Sequence, residues 1–428
     1  MSVQKFQAIR GMNDILPDEA RHWARLEDIM REWLAQYGYL QVRTPVVEPT
    51  GLFVRSIGEV TDIVEKEMYT FVDQLNGESL TLRPEATASC VRMAVQHHLL
   101  YSGPQRLWYM GPMFRHERPQ KGRYRQFHQC GAEALGFTGP DVDAEQILMT
   151  GRLWKLLGLT DMDLHINTIG DLASRHRHKA RLVAYFENHQ DMLDEDSRRR
   201  LHTNPLRILD SKNPAMVQLV EEAPKLMDDL DDVSAQHFEA LKTLLDAAGI
   251  AYQVNHRLVR GLDYYNATVF EWMTTQLGAQ GTVCGGGRYD GLVEQLGGKP
   301  TPACGFAMGM ERLLALLQDQ ESSVLTQAAG PQVYVMHQGE AARGAAFLAA
   351  EKLRMAGLSV VFHCGNGGFK AQMKRADALG ASYGVLLGDD ELKMHQVTLK
   401  PMRGQGPQMA LTLEQAIELI RQDGSAHV

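Results

Sequence analysis

Residues 113–133, MFRHERPQKGRYRQFHQCGAE, constrain the fold of this chain more than any other stretch. Two segments with alternating polar residues flank a connection that contains Pro119 and Gly122, a pattern that indicates an antiparallel hairpin. Arginine side chains at strand ends can hold phosphate through paired hydrogen bonds, and a basic loop can contact a nucleic-acid backbone. The same composition would also suit a hairpin whose arginines only keep the sheet edge soluble. Glu117 is the one anion among five cations, which are Arg115, Arg118, Lys121, Arg123 and Arg125.

The complete string FRHERPQKGRYRQFHQ resembles motif 2 of the class II aminoacyl-tRNA synthetases, in the form that bacterial histidyl-tRNA synthetases have. The resemblance implies that Arg115 holds the α-phosphate of ATP and that Arg123 holds its outer phosphates. It also implies that Gln129 lies near the ammonium group of histidine and that Glu133 binds the imidazole ring. A chain of this family should carry the family's other motifs as well.

The N-terminal part of the chain predicts a long helix that begins at Pro17 and ends at Gly38. A strand is expected over residues 40–47, with Pro45 inside it. A long helix leading into a strand with an internal proline resembles motif 1, which builds the dimer interface in this family. The resemblance thus implies a homodimer. The apolar stripe of the helix consists of Trp23, Leu26, Met30, Trp33, Leu34 and Tyr37.

Residues 79–83 predict a strand that leads into Pro84, Glu85, Ala86 and Thr87, followed by a helix to about residue 100. A carboxylate and a hydroxyl group held at a strand end can bind a substrate ammonium group. Alternatively, Thr87 is only the helix cap and Glu85 only favours the helix dipole. The segment resembles the Arg-Pro-Glu-x-Thr motif with which histidyl-tRNA synthetases bind the amino acid's ammonium group. That family more often has glycine at the position of Ala86.

Two glycine-containing strings follow later, LVRGLDYY at residues 258–265 and VCGGGRYDG at residues 283–291. Three consecutive glycines after a strand let the backbone approach a ligand closely, although they can also form a structural turn. The spacing does not fit a dinucleotide-binding fingerprint or a Walker A loop. Together the strings resemble the two signature motifs of histidyl-tRNA synthetases. The resemblance implies that Arg260 stabilises charge on the α-phosphate, that Tyr265 contacts the imidazole, and that Tyr264 and Tyr289 shape the pocket.

Residues 303–317, ACGFAMGMERLLALL, predict a segment of small residues followed by a buried, leucine-rich helix. Arg312 stands next to this apolar run and could be a structural salt-bridge partner. The order Gly-x-Glu-Arg before such a helix resembles motif 3, whose arginine stacks on the ATP base or holds the γ-phosphate.

The sequence pattern divides the chain into a first domain at residues 1–325 and an α/β domain at residues 331–428, joined by a polar linker. The resemblance implies that the first domain is the class II catalytic domain. Within the first domain, residues 171–250 are expected to form a helical insertion dense in mixed charge. Such charge runs usually form a solvated face, and the resemblance implies closure over the acceptor end of tRNA. The second domain is similar to the anticodon-binding domains of the histidyl, prolyl, threonyl and glycyl enzymes. The expected fold class is α+β, with a class II antiparallel sheet flanked by helices.

Composition restricts the remaining possibilities. A net charge of −8 over 428 residues excludes a generally basic nucleic-acid coat, so RNA contacts must come from local patches. The five cysteines are scattered without a C-x-x-C pair, which indicates neither a disulfide framework nor a zinc site. We found no secretory signal and no apolar window of transmembrane length. These features favour a cytoplasmic protein that does not bind membranes.

The resemblance implies ligation of L-histidine to tRNA(His) through a histidyl-adenylate, with ATP as the substrate that carries Mg²⁺ and no metal held by the protein alone. Two other classes stay open: a histidyl-synthetase-like regulatory subunit of histidine biosynthesis, and a pure RNA-binding module. The first typically lacks catalytic arginines and the C-terminal domain, and the second needs neither motif 3 nor RGLDYY. The implied catalytic residues are Arg260 and Arg115, and the implied ATP-binding residues are Arg115, Arg123 and Arg312. The implied histidine-binding residues are Glu85, Ala86, Thr87, Gln129, Glu133, Tyr264, Tyr265 and Tyr289.

Overall fold

The structure, a computed structural model, describes residues 5–58, 61–209, 211, 213–259, 262–278, 281–320, 322–325, 330–403 and 406–425. The chain forms two compact units, Met1–Leu325 and Thr326–Val428. In the part of the chain that is described, no helix is both long enough and apolar enough to cross a membrane.

The first unit contains α-helices at both ends and in its middle, with strands between them. The helices are α1 (Pro17–Gln36), α2 (Thr50–Ile57), α3 (Thr87–Gln96), α4 (Pro140–Leu157), α5 (Leu172–Glu187), α6 (Glu195–Arg200), α7 (Val217–Glu221), α8 (Asp232–Ala247), α9 (Leu292–Gln295) and α10 (Met310–Asp319). The strands are β1 (Leu40–Gln41), β2 (Val47–Pro49), β3 (Tyr69–Val72), β4 (Ser79–Leu82), β5 (Gln105–Phe114), β6 (Gln126–Leu135), β7 (Asp163–Thr168), β8 (Gln253–Val254), β9 (Asn266–Met273), β10 (Thr282–Arg288) and β11 (Ala303–Gly309). Short 3₁₀ or π turns are Ile63–Glu67, Leu99–Ser102, Gln190–Met192, Pro205–Ile208, Pro214–Met216, Leu226–Asp229 and Ser323–Leu325.

The main sheet has the strand order β1-β5-β6-β11-β10-β9-β7-β8 among the described residues. Its pairs are antiparallel except for the two edges, where β1 runs parallel to β5 and β8 runs parallel to β7. The hairpin predicted around the basic loop is confirmed, because β5 and β6 pair in one register from Gln105 with Leu135 to Phe114 with Gln126. Strands distant in sequence, β6 and β11, thus lie side by side at the centre of the sheet.

Helices α1, α4 and α10 cover one face of this sheet and bury its largest hydrophobic core. The predicted stripe of α1 is confirmed, since five of its residues are buried and Tyr37 is partly buried. The indole nitrogen of Trp33 also donates a 2.9 Å hydrogen bond to the carbonyl oxygen of Met149, which fixes α1 against α4. Buried indole N–H groups usually have such a partner.

The single strand predicted over residues 40–47 is wrong. The structure has β1 in the main sheet and β2 in a separate sheet of order β2-β4-β3, with an irregular segment between them. Pro45 has no N–H to give to a ladder. The guanidinium group of Arg83 instead binds the carbonyl oxygen of Thr44 at 3.0 Å and that of Pro45 at 3.4 Å. These side-chain contacts replace the strand hydrogen bonds.

The helix predicted to continue to about residue 100 is shorter, because α3 ends at Gln96 and a 3₁₀ turn follows at Leu99–Ser102. His98 lies between them with φ of 55°. That left-handed conformation cannot continue a right-handed helix, which explains the early end.

Residues 171–250 contain α5 to α8 and several 3₁₀ turns, and part of this segment buries a hydrophobic cluster of its own. Aspartate side chains cap three of its helices. Asp171 accepts from the backbone N–H of Ser174, Asp194 accepts from Ser197, and Asp231 accepts from Ser234. These caps satisfy amide groups that a helix start leaves without partners.

The second unit is an α/β fold. Its elements are β12 (Val333–His337), α11 (Glu340–Met355), β13 (Val360–Phe362), α12 (Phe369–Ala378), β14 (Tyr383–Leu387), α13 (Asp389–Met394), β15 (Val397–Pro401), β16 (Met409–Leu411) and α14 (Leu413–Ser425). The helices cover a sheet of order β13-β12-β14-β15-β16. The strands β12, β13 and β14 are parallel, and β15 and β16 join antiparallel to them.

Candidate active site

A cleft with a volume of about 390 Å³ opens on the main sheet of the first unit, over strands β6, β10 and β11. Arginine residues from two separate motifs line it together. The lining residues that the sequence analysis singled out are Arg115, Arg123, Gln129 and Arg312. The chain thus brings motif 2 and motif 3 to one place, although about 190 residues separate Gly122 from Arg312.

Small residues form the floor of this cleft. Gly285 of β10 pairs with Ala307 of β11, and both line the cleft together with Gly309. The expectation that the glycine run follows a strand is wrong, because all three glycines lie inside β10 between β9 and β11. A Cβ on the middle one, Gly286, would overlap the backbone of β11. The glycines therefore allow β10 to pack closely against β11, and they also keep the floor of the cleft free of side chains.

Glu117 lies between Arg115 and Arg123 of the hairpin. Its carboxylate forms an ion pair with Nε of Arg123, and its Oε1 lies 4.0 Å from NH1 of Arg115. Arg115 also donates from Nε to the carbonyl oxygen of Pro84 at 2.9 Å, and its guanidinium group lies 5.3 Å from the centre of the Phe127 ring. Glu117 therefore acts as an internal counter-ion for the side chains that the sequence assigned to phosphate.

Arg312 is fixed by backbone carbonyl groups. Its Nε donates to the carbonyl oxygen of Gly122 at 3.1 Å, and NH1 donates to that of Thr282. Burial, followed by the positive charges of Arg123 and Arg115, lowers the pKa of Arg312. Cations that crowd one another in a partly enclosed cleft favour binding of an anion, because an anion removes their mutual repulsion.

Gln129 lies on the same face of β6 as Glu133, with Gly131 between them. The side-chain oxygen of Gln129 is buried and has no hydrogen-bond partner within the described residues. Buried polar atoms nearly always have a partner in the functional state of a protein. A donor from a ligand in the cleft would satisfy this oxygen.

Glu133 is the centre of a buried polar cluster further along β6. Oε1 accepts hydrogen bonds from the hydroxyl groups of Thr87 at 2.7 Å and Tyr109 at 3.0 Å, and Oε2 accepts one from Tyr289. Burial raises the pKa of Glu133 to about 8, although the hydrogen bonds from Tyr289 and Thr87 oppose this shift and the charge of Glu85 adds to it. The cluster thus favours the protonated form of the Glu133 carboxyl group at neutral pH.

Glu85 rather than Thr87 caps helix α3. The Glu85 carboxylate accepts the backbone N–H groups of Thr87 at 2.7 Å and Ala88 at 3.0 Å, while Ala86 occupies the N-cap position. The alternative in which Thr87 is the cap is wrong, because its hydroxyl group donates to Glu133. Burial raises the pKa of Glu85, and the backbone hydrogen bonds oppose that shift. Two buried carboxyl groups, Glu85 and Glu133, therefore share Thr87 as a neighbour.

Three tyrosine rings pack beside these carboxyl groups. Tyr264 lies 4.7 Å from Tyr265 and 5.6 Å from Tyr289 between ring centres, and all three side chains are buried. Burial raises the pKa of Tyr264 and of Tyr289 well above the usual value, so both are neutral hydroxyl groups. The structure therefore places the tyrosines of both glycine-containing strings around one polar pocket.

The sequence pattern did not identify three features of the site. These are the hydroxyl group of Tyr109, the role of Glu117 as a counter-ion, and the close contact at Gly305. Tyr109 pairs with Gly131 in the hairpin, and Gly131 lies two residues before Glu133 on the same face of β6. The register of β5 and β6 therefore indicates that the Tyr109 hydroxyl group lies beside Glu133. Gly305 pairs with Glu133 across β6 and β11, a contact that only the sheet order reveals. Arg260 lies outside the described residues.

Comparisons with known proteins agree with the motifs. The family model described as Histidyl-tRNA synthetase matches residues 11–313, and the model described as Anticodon binding domain matches residues 332–423. The histidine–tRNA ligase of Aromatoleum aromaticum is 64% identical over 412 residues, which cover 96% of this chain and 94% of that protein. The histidine–tRNA ligase of Thiobacillus denitrificans is 62% identical over 418 residues, which cover 98% of this chain and 99% of that protein.

A solved structure shares the fold as well. The apo histidyl-tRNA synthetase of S. aureus superposes with a TM-score of 0.81 at 35% sequence identity, covering 97% of this chain and 100% of that chain. This agreement confirms the predicted α+β class with its large antiparallel sheet. Because the family model and the relatives cover most of the chain, the resemblance inferred from the motifs is also confirmed. The chain belongs to the histidyl-tRNA synthetase family.

Proposed function

We propose that this chain activates L-histidine with ATP and transfers the histidyl group to tRNA(His). One observation carries the proposal: the arginine-lined cleft and the buried carboxyl cluster lie along the same face of β6, from Phe127 to Glu133. A phosphate-binding region next to a polar pocket suits attack of an amino-acid carboxylate on the α-phosphate of ATP. The high identity to relatives named histidine–tRNA ligase favours charging of tRNA over the regulatory alternative.

Activation needs no protein nucleophile, because the substrate carboxylate itself attacks phosphorus in line with the leaving pyrophosphate. Arg115 would hold the α-phosphate, and Arg123 and Arg312 would hold the outer phosphates. The phosphates would replace Glu117 as the counter-ion of the hairpin arginines. Arg260, assigned from its place in the RGLDYY string, would stabilise charge on the α-phosphate from the opposite side.

Mg²⁺ is bound in such sites by one or two carboxylates together with substrate phosphates. Glu271 fits this requirement, because it lines the cleft beside the arginines and accepts a 3.0 Å hydrogen bond from Thr282. When bound, the ion would neutralise phosphate charge. The protein groups would orient the triphosphate and keep its leaving group in line.

The polar pocket would select histidine. Glu85, Thr87 and Gln129 would bind the ammonium group. The side-chain oxygen of Gln129, which has no hydrogen-bond partner among the described residues, suits a donor of this kind. Glu133 and Tyr265 would bind the imidazole nitrogens. A site built to hydrogen-bond both ring nitrogens rejects side chains that lack them by about 10⁴-fold or more. The pocket walls would be completed by Ala86, Tyr264 and Tyr289.

The other parts of the chain would bind tRNA. The second unit would bind the anticodon, and the helical segment at residues 171–250 would close over the acceptor end. We also propose a homodimer formed through the motif 1 region and a cytoplasmic location, as the family resemblance implies.

The direct test is ATP–pyrophosphate exchange with each of the twenty amino acids. Histidine alone should support exchange, and a different amino acid or none would contradict the proposal. The Arg260→Ala variant should exchange about 100-fold more slowly, because a preorganised cation is lost from the reacting phosphate. Near wild-type exchange by this variant would show that Arg260 has another role.

A further inference from the structure

Asn266 and Asp290 each directly follow a tyrosine of the proposed histidine pocket. Asn266 begins β9 immediately after Tyr265, and Asp290 comes immediately after Tyr289, just beyond the end of β10. The rings of the two tyrosines lie 6.4 Å apart between their centres and are nearly perpendicular, at 85°. Contacts made by Asn266 and Asp290 therefore act on the backbone that carries these two rings.

Two reciprocal hydrogen bonds join Asn266 to Asp290. The backbone N–H of Asp290 donates to Oδ1 of Asn266 at 2.7 Å, and Nδ2 of Asn266 donates to Oδ2 of Asp290 at 3.1 Å. Because a backbone N–H can only donate, the Asn266 atom that faces it is the side-chain oxygen, and the amide nitrogen is left for the carboxylate. The pair therefore needs an amide on one side and a carboxylate on the other.

The other carboxylate oxygen of Asp290 holds the pair against the central sheet. Oδ1 accepts the backbone N–H of Ala303 in β11 at 2.9 Å and NH1 of Arg288 at 3.2 Å. The backbone N–H of Tyr289 also donates to the carbonyl oxygen of Ala303 at 2.8 Å. Oδ1 thus fixes the chain around Tyr289, whereas Oδ2 reaches the string that carries Tyr265.

The start of β9 is irregular at the point where the pair forms. At its register shift with β10, β9 contains two extra residues, Ala267 and Thr268. Ala267 has φ of 47°, a left-handed conformation that a residue other than glycine keeps only where its surroundings fix it. A bulge of this kind re-aims the neighbouring side chains. The direction of Tyr265 therefore depends on contacts outside the regular ladder, and Asn266 supplies one of them.

We propose that Asn266 and Asp290 are positioning residues that hold the rings of Tyr265 and Tyr289 in place for the imidazole of histidine. They act through the two tyrosines and through Glu133, which accepts a hydrogen bond from the Tyr289 hydroxyl group. Among the described residues that line the arginine-lined cleft, neither Asn266 nor Asp290 occurs, so binding of ATP does not depend on them. This inference rests on the proposed function, because it assigns positioning residues to the same histidine pocket.

The experiment measures the histidine KM in pyrophosphate exchange, at saturating ATP and without tRNA. In Asp290→Asn an amide nitrogen meets the amide nitrogen of Asn266, and in Asn266→Asp two carboxylates face each other. Each substitution breaks the pair. Displacement of the tyrosines should then raise the histidine KM about 10-fold, while the ATP KM changes by less than about 2-fold.

The double variant Asn266→Asp/Asp290→Asn exchanges the two side chains. The amide at position 290 then donates to the carboxylate at position 266, and the backbone N–H of position 290 keeps its acceptor. The amide oxygen at position 290 can still accept from Ala303, and Arg288 keeps its ion pair with Asp143. The histidine KM of the double variant should therefore return to within about 3-fold of the wild-type value.

Asn255→Asp is the matched control. The side-chain oxygen of Asn255 also accepts a backbone N–H, from Arg257 at 3.0 Å, and its nitrogen lies 3.1 Å from Nδ1 of His165. This asparagine follows β8 at the edge of the same sheet. The same change of amide to carboxylate should here alter the histidine KM by less than about 2-fold.

Three results would overturn the inference. The first is a histidine KM of wild-type size in either single variant. The second is a double variant whose histidine KM is no better than that of the worse single variant. The third is loss of folded structure, or an equal rise of the ATP KM, in the single variants. Circular dichroism and urea denaturation test this third result, which would mean that the pair supports the whole unit rather than the pocket.

Calorimetric titration with histidine, without ATP, separates this inference from the proposed function. A wild-type chain that binds histidine but does not charge tRNA would contradict the proposed function alone. Affinities about 10-fold weaker in both single variants and restored in the double variant would still support the pair, and equal affinities would overturn it. If a different amino acid supports exchange, the proposed function fails, and the same comparison with that amino acid decides the role of the pair.

Discussion

Gly305 on β11 faces Glu133 on β6, and a Cβ at Gly305 would overlap the Glu133 carboxylate and crowd the carbonyl oxygen of Ala132. The absence of a side chain at Gly305 is therefore what gives Glu133 room to reach Thr87, Tyr109 and Tyr289. A glycine in one motif determines the position of a carboxyl group in another.

The Gly305→Ala substitution should displace Glu133 and weaken histidine binding by about 10-fold or more, since the carboxyl group loses its hydrogen-bonding position. Overpacking should also cost about 1–3 kcal/mol of unfolding free energy. The measurements are the histidine KM in pyrophosphate exchange and urea denaturation. Gly51→Ala is the matched control, because among the described residues a Cβ added at Gly51 in α2 would meet no atom within 4 Å beyond its chain neighbours and the backbone of its own helix. A wild-type histidine KM in Gly305→Ala would contradict this account.

The raised pKa of Glu133 predicts a pH-dependent stability. Because its pKa is about 8 in the folded chain and 4.5 ordinarily, the folded state retains a proton that the unfolded state releases. Stability from this group is therefore present below about pH 4.5 and is lost as the pH rises through about 8.

The amide side chain of the Glu133→Gln variant cannot ionise. The variant should therefore not lose this part of its unfolding free energy as the pH rises. Between about pH 5 and 8, the unfolding free energy of the variant minus that of wild type should rise by up to about 1.4 kcal/mol per pH unit. Urea denaturation without ligands over this range provides the measurement, and other titrating groups cancel in the difference. A difference that does not change with pH would show that Glu133 has an ordinary pKa.

A second buried pair ties α4 to β10. Arg288 and Asp143 are almost fully buried and are joined by hydrogen bonds of 2.5 and 3.2 Å, and His237 adds a 2.8 Å bond to Asp143. Burial tends to raise the pKa of Asp143, but His237 and Arg288 lower it to about 2. Arg288 directly precedes Tyr289, so this pair also positions the pocket.

Replacing Arg288 with Met should cost about 3–5 kcal/mol of unfolding free energy, because Asp143 would be left as a buried charge without its main partner. The double variant Arg288→Met/Asp143→Asn should recover part of that loss. A double-mutant cycle by denaturation measures the coupling. Additive effects of the two substitutions would contradict the pairing.

The motifs predicted which residues converge, but not how they contact one another. Arg115, Arg123 and Arg312 were assigned to one site from their strings, and the structure places them along one cleft. The hydroxyl of Tyr109 and the open position at Gly305 depend on which strands are neighbours and in what register. Short-range patterns contain no such information, because sheet order is set by contacts between distant segments.

The break within residues 40–47 has a similar origin. The pattern of apolar residues favoured one strand, and Pro45 alone did not exclude it, because proline occurs at strand edges. What decides the outcome is Arg83, which directly follows β4 and binds the carbonyl oxygens of Thr44 and Pro45. The counter-ion role of Glu117 also depends on side-chain geometry that the sequence does not specify.

A chain that ends at Leu325 should activate histidine but charge tRNA(His) poorly at low tRNA concentration. The first unit has its own hydrophobic cores and contains the complete cleft, whereas the proposed anticodon contacts lie in the second unit. Circular dichroism and thermal unfolding must first show that the fragment folds. Pyrophosphate exchange and aminoacylation are then compared with those of the full chain. Unimpaired aminoacylation by a folded fragment would rule out tRNA binding as the task of the second unit.

The central claim is that this chain both activates histidine and charges tRNA. The most direct measurement is transfer of labelled histidine to purified tRNA(His) in the presence of ATP and Mg²⁺, with a second elongator tRNA as the control. The account predicts that charging depends on ATP, approaches one histidine per tRNA(His), and is absent with the control tRNA. Histidine-dependent pyrophosphate exchange without any transfer to tRNA(His) would contradict it.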